Sequence, residues 1–145
     1  MPTGGALVRR PDLWAVMVML VPVTNTLRVE FSENGPINVP EQGSASTEDG
    51  LHGLLITDTL HRVVDGTPYP AVFMTAGRND SRVALWQPGK LTARLQAATT
   101  SGRPVILRVE EHGGHGLGLT TDQREAALAD EYAFLLRHTA TTVAR

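Results

Sequence analysis

The sequence predicts an α/β fold with a mostly parallel sheet flanked by helices. Three observations carry this. Short apolar runs stand at Trp14–Val21, Tyr69–Thr75 and Val105–Val109. Helical patterns follow the second and third of them. Turn residues punctuate the joints. Short apolar runs alternating with helices are the pattern of a layered parallel sheet.

The first run, Trp14-Ala-Val-Met-Val-Met-Leu-Val21, holds no charge, as suits a central strand covered on both faces. A signal peptide is the competing reading, because Arg9-Arg10 precedes the run. The run is shorter than the ~20 residues that cross a bilayer, Asp12 interrupts the junction between it and Arg9-Arg10, and no small-x-small cleavage site follows. Residues 24–60 carry the turn signals Asn34-Gly35-Pro36, Val39-Pro40 and Gly43-Ser44, so they read as an irregular excursion with a short helix near Thr47–Leu51. Pro70 opens the second strand, where a missing N–H is tolerated. Leu91, Leu95 and Ala98 recur at i, i+4 and i+7, the stripe of an amphipathic helix that Ser101-Gly102 ends. After the third strand comes the glycine-rich loop Gly113-Gly-His-Gly-Leu-Gly118. Asp122 with Glu125 then predicts a capping box, and Leu128, Tyr132, Leu135 and Leu136 the buried stripe of a last helix.

Composition narrows the function. Thirteen basic and fifteen acidic residues give a net charge of −2, which offers no electrostatic case for nucleic acid or anionic lipid. The chain has no cysteine, so disulfides, thiolate metal sites and cysteine nucleophiles are excluded. With 19% charged and 41% hydrophobic residues, the 145-residue chain can bury a core of one domain. The compartment stays open, with a cytoplasmic setting the default.

Ligands of parallel sheets bind at the carboxyl ends of the strands. Two loops occupy that position, Ala76–Arg82 and Glu110–Gly118. Asp80 in the first and His115 in the second follow the acid-then-histidine order of a hydrolase triad. A histidine that draws a proton from a serine needs a carboxylate to hold its tautomer and stabilise its charged form. The same residues also admit a turn-capping Asp, an exposed His and a surface ion pair for Arg82. His112, His115 and Glu110 or Glu111 form a conceivable metal set by ligand type, but flexible glycines between ligands do not preorganise one. No metal or other cofactor is expected. His52, His61 and His138 read as structural or exposed.

Several segments resemble the prolyl oligopeptidase family of serine peptidases. Tyr69–Val83 looks like the family segment ending in the catalytic Asp and a nearby Arg. Glu110–Gly118 looks like its histidine loop, with Gly-His-Gly at its centre. Leu91–Pro104 and Ala129–Leu136 are similar to its following helices. Arg10-Pro-Asp-Leu-Trp14 is similar to the lead into an inner strand, and Asn34–Ser44 to the loop of one bacterial branch. The resemblance implies the C-terminal portion of an α/β-hydrolase fold across residues 1–145. It implies Asp80 as triad acid, His115 as triad base, Arg82 as a donor to a substrate carbonyl, and an oligopeptide as substrate. It also implies departures. The family serine, in Gly-x-Ser-x-Gly-Gly, falls on Pro2 when Gly4-Gly5 are matched, and Thr3 lies one residue out of register. The helix after that elbow is expected to be absent or broken, and the elbow and the family's β-propeller to lie outside this chain. The chain alone is therefore expected to be inactive. Ile37, Asn38 and Gln42 stand where an aromatic partner for a substrate proline would be sought, so a broader oligopeptide preference is expected. A non-catalytic remnant and an esterase of the same fold are the alternatives.

Overall fold

The computed structural model describes residues 1–140. Its centre is a parallel three-stranded sheet in the order β1-β2-β3, formed by Val16–Leu20, Ala71–Gly77 and Val105–Glu110. Val18 pairs with Phe73, and Phe73 with Ile106, in one register across the sheet.

The chain begins with helix α1, Pro2–Arg9. Pro2 fits the first turn, where no N–H partner is needed, and Pro11 follows the helix end. The expectation that this helix is absent or broken is corrected. Eight residues suffice to place Leu7 fully in the core. Between β1 and β2 the irregular excursion contains short 3-10 turns, the single-turn helix α2 (Val39–Gln42) and the longer helix α3 (Glu48–Thr57). The Thr47 hydroxyl caps α3 by accepting from Gly50 N–H. Helix α4, Trp86–Ala98, links β2 to β3, and α5, Thr121–Thr139, follows β3.

The helices divide over the two faces of the sheet. Leu7 of α1 and Leu91, Leu95 and Ala98 of α4 pack with Met17, Met19, Val72 and Met74 on one face. Phe134 of α5 packs with Ala71 and Phe73 on the other, and the two phenylalanine rings lie 5.3 Å apart. Each strand residue therefore meets α1 and α4 or α5 by parity alone.

Three expectations differ from this arrangement. The fully buried central strand is β2, whereas β1 pairs only with β2 among the described residues and leaves Leu20 exposed. The capping box of α5 is Thr120 with Gln123, not Asp122 with Glu125: Thr120 Oγ1 accepts from Gln123 N–H, and Gln123 Oε1 accepts from Thr120 N–H. The helix starts two residues earlier because Thr120 adopts the extended backbone a cap requires. The stripe Leu128, Tyr132 and Leu136 is exposed rather than buried, since α5 meets the sheet through Phe134, about 120–160° around the helix from these three.

Candidate active site

Two strand-end loops build the site, and backbone bonds lock them together. Beyond the sheet, Arg78 N–H donates to Glu110 O at 3.0 Å and Asn79 N–H to Gly113 O at 3.0 Å. These bonds continue the β2–β3 pairing into the loops. Gly77 is needed at the crossing. A Cβ there would stand 2.3 Å from Gly114 O and 2.5 Å from Gly113 O, closer than any side chain tolerates. Gly116 and Gly118 take left-handed φ of 71° and 83°, which lets the histidine loop fold back on itself.

This scaffold brings Asp80 and His115 together. His115 Nδ1 lies 2.8 Å from Asp80 Oδ2. The other carboxylate oxygen, Oδ1, accepts from the backbone N–H groups of Arg82 and Val83, each at 2.8 Å. The Asp80 side chain is fully buried, whereas that of His115 is one-third exposed. An ionised carboxylate only accepts, so Nδ1 carries the shared proton and Nε2 of the neutral ring is an acceptor. Among the described residues no group bonds to Nε2. A histidine held in this way can take a proton at Nε2, and the buried carboxylate stabilises the resulting imidazolium.

His115 opens onto a cleft of about 470 Å³. Arg82 lines the same cleft, exposed, and its guanidinium makes no hydrogen bond or ion pair among the described residues. Ile37, Asn38 and Gln42 line it too, so the excursion between β1 and β2 forms the wall facing His115. No aromatic side chain lines it. Asn34 ties this wall to the Asp80 loop by donating from Nδ2 to Ser81 O at 2.5 Å.

Gln87 is a site residue that the sequence reading missed. It is buried at the start of α4, and its Oε1 accepts from Thr24 N–H at 3.0 Å and Asn25 N–H at 2.7 Å. Thr24 Oγ1 returns a bond to Gln87 O at 2.6 Å. The cluster pins the start of the excursion to α4. Nothing in the local pattern around Gln87 announces partners sixty residues away.

The remaining histidines stand apart from the cleft. His61 Nδ1 bonds to Asp58 Oδ1 at 2.9 Å, where fully buried Asp58 also accepts from Leu27 N–H. His138 stacks on Phe134 with ring centroids 4.5 Å apart, and burial holds its pKa below the usual histidine value. His52 and His112 are exposed. Glu110 and Glu111 are paired with Arg108 and Arg78, so neither carboxylate is turned toward His115 as a metal ligand. Among the described residues no group of three His, Asp or Glu side chains is placed to hold a metal. Thr3 is exposed within α1 and does not line the cleft.

Comparison with known proteins gives the family and the fold. The family model described as "Prolyl oligopeptidase family" matches residues 1–142. The prolyl endopeptidase of Elizabethkingia meningoseptica is 31% identical over 134 residues, covering 92% of this chain and 19% of its own. Dipeptidyl aminopeptidase BI of Pseudoxanthomonas mexicana is 27% identical over 128 residues, covering 87% of this chain and 18% of its own. The chain thus spans about a fifth of the length of the relatives it matches. A solved prolyl endopeptidase, from a structural and mechanistic analysis of two such enzymes, superposes with a TM-score of 0.85 at 30% identity. It covers 93% of this chain and 20% of its own. Oligopeptidase B from Leishmania major superposes with a TM-score of 0.86 at 24% identity over 98% of this chain and 20% of its own, a likeness of fold alone. The parallel sheet with helices on both faces is part of an α/β-hydrolase fold. With the family model spanning nearly every residue, the chain belongs to the prolyl oligopeptidase family.

Proposed function

We propose that the chain supplies the acid and the base of a Ser-Asp-His triad in a serine peptidase that hydrolyses oligopeptides. Asp80 is the acid, His115 the base, and Arg82 the donor to a substrate carbonyl. The observation that carries this reading is the 2.8 Å contact between buried Asp80 and partly exposed His115, which lines a cleft that Arg82 shares. Family membership supports the reaction class. Oligopeptidase and prolyl endopeptidase relatives support the substrate class.

In that role His115 Nε2 takes the proton of a serine hydroxyl as its oxygen attacks the scissile carbonyl. Asp80 holds Nδ1–H and stabilises the imidazolium. The same proton then passes to the leaving amine, and a water repeats the cycle on the acyl-enzyme. The planar guanidinium of Arg82 offers several donors, as suits a carbonyl-binding group. The serine comes from outside this chain. Pro2 stands at the matching position, and of the two serines that line the cleft, Ser32 donates its hydroxyl to Val29 O at 2.6 Å and Ser81 follows Asp80 directly, outside any Gly-x-Ser-x-Gly-Gly pattern. The chain alone is inactive or nearly so, because no serine stands at the position of the family nucleophile. The absence of an aromatic wall in the cleft favours small and polar residues over a strict proline preference.

A non-catalytic remnant is the second reading, and Pro2 at the serine position is the observation that favours it.

Two measurements test the proposal. Proton NMR of the purified chain should show a far-downfield Nδ1–H resonance that Asp80→Asn abolishes. Its absence at low temperature removes the Asp–His couple. Peptide-amide hydrolysis by the chain alone should stay at background. Turnover lost in both Asp80→Ala and His115→Ala would overturn the external serine.

A further inference from the structure

One peptide unit joins the acid to the cleft wall. The unit between Ser81 and Arg82 carries a carbonyl at one end and an N–H at the other. Its N–H donates to Asp80 Oδ1 at 2.8 Å. Its carbonyl, Ser81 O, accepts from Asn34 Nδ2 at 2.5 Å. The second Asp80 oxygen meets His115 Nδ1 at 2.8 Å. A row of bonds therefore runs from the wall, through this peptide and the carboxylate, to the imidazole. Bonds in such a row polarise and stiffen one another.

The wall holds Asn34 in place. Ser32 N–H and Ser32 Oγ both donate to Val29 O, at 2.9 and 2.6 Å, and Gly35 N–H donates to Ser32 O at 2.9 Å. Val29 itself is buried. The turn is so tight that a Cβ on Gly35 would overlap Val29 O. On its far side, Asn38 Nδ2 donates to Asn34 O at 3.1 Å. Asn34 thus leaves a turn that is fixed before it and after it. Its bond to Ser81 is the one hydrogen bond, among the described residues, between residues 28–44 and residues 76–87.

Arg82 needs such a hold. No side chain among the described residues pairs with its guanidinium, so its own backbone sets where it stands. Asp80 fixes the N–H side of the preceding peptide, and Asn34 fixes the carbonyl side. Asn34 and Ser81 are exposed, so water competes for their bond while the cleft is empty. A peptide lying in the cleft excludes that water. We infer that Asn34 is a positioning residue: it acts through the Ser81–Arg82 peptide to set Arg82 against the substrate carbonyl. The role of Arg82 rests on the proposed function. The hold on its backbone does not, and the two are read by separate measurements.

The first measurement is amide hydrogen exchange on the purified chain. Asn34→Ala removes the donor, and Asn34→Asp keeps the shape but sets a carboxylate against the Ser81 carbonyl. Both should speed exchange at Arg82 about fivefold and leave Val83, which Asp80 holds directly, as in the parent. Exchange at Arg82 that matches the parent overturns the proposal. So does equal loss of protection at Val83, which would make Asn34 a support of the whole loop. The second measurement uses a fusion in which this chain replaces the matching fifth of the Elizabethkingia meningoseptica prolyl endopeptidase. There Asn34→Ala should lower kcat/KM for an acylated peptide amide about tenfold. In an Arg82→Ala background the same substitution should change nothing further. A merely structural residue would cost the same in both backgrounds, so additive losses overturn the proposal. A fusion without His115-dependent turnover removes the triad reading, and exchange at Arg82 then decides by itself whether Asn34 holds the peptide.

Discussion

Asp80 is held by more than its histidine. Its Oδ1 satisfies two backbone N–H groups, of which that of Val83 is buried. Asp80→Ala leaves that donor orphaned and should cost about 1–3 kcal/mol, read as a lower urea midpoint. Asp80→Asn keeps an acceptor and should cost less. Equal losses would mean the carboxylate does not organise the loop. Val21 is a second outlier. It is the sole non-glycine residue with positive φ among those described, at 43°, directly after β1, and a β-branched residue is strained there. Val21→Gly should stabilise the chain by about 1 kcal/mol, where Val18→Gly on the same strand should destabilise it. A loss of equal size at both positions contradicts the strain. His138 gives a pH dependence. Burial beside Phe134 lowers its pKa in the folded state, so the unfolded chain binds that proton more readily. Stability from this group is intact above the ordinary histidine value and is lost as pH falls below it. His138→Phe should flatten that part of the curve measured by thermal melts. Asp80 and His115 were legible in the sequence because each lies in a loop that follows an apolar run, in segments that resemble the family's acid and histidine loops. Gln87 and Asn34 were not, since their partners lie across loops that have no period.

The elements were read well where one face is buried and poorly where the partner is missing. Leu91, Leu95 and Ala98 of α4 are buried as their spacing predicts. The apolar stripe of α5 has equally good spacing, yet Phe134 is its buried residue and the stripe faces outward. Periodicity finds an apolar face but not whether anything covers it. Phe134→Ala should release α5 from Phe73 and cost about 3–5 kcal/mol, with loss of helical signal before the sheet melts. Gly77 couples element to site. Gly77→Ala should push Gly113 and Gly114 off the end of β2 and lengthen the Asp80–His115 contact. The expected readout is loss of the downfield Nδ1–H resonance with most of the sheet signal retained. Retention of that resonance would show that the loops are not set by this crossing.

At the scale of the molecule, the order of strands and helices was legible, and the place of β1 was not. An uncharged run suits a strand buried on both sides, and β1 is such a strand with one neighbour among the described residues. A sheet of three parallel strands thus carries the contact between Asp80 and His115 at its carboxyl end, beside the cleft. The most direct measurement fuses the two parts. This chain replaces the matching fifth of the Elizabethkingia meningoseptica prolyl endopeptidase, and hydrolysis of a peptide amide is followed. Turnover that falls by about 10⁴-fold in Asp80→Asn, and at least as far in His115→Ala, is the predicted result. Turnover that survives either substitution would contradict the assignment of acid and base to this chain.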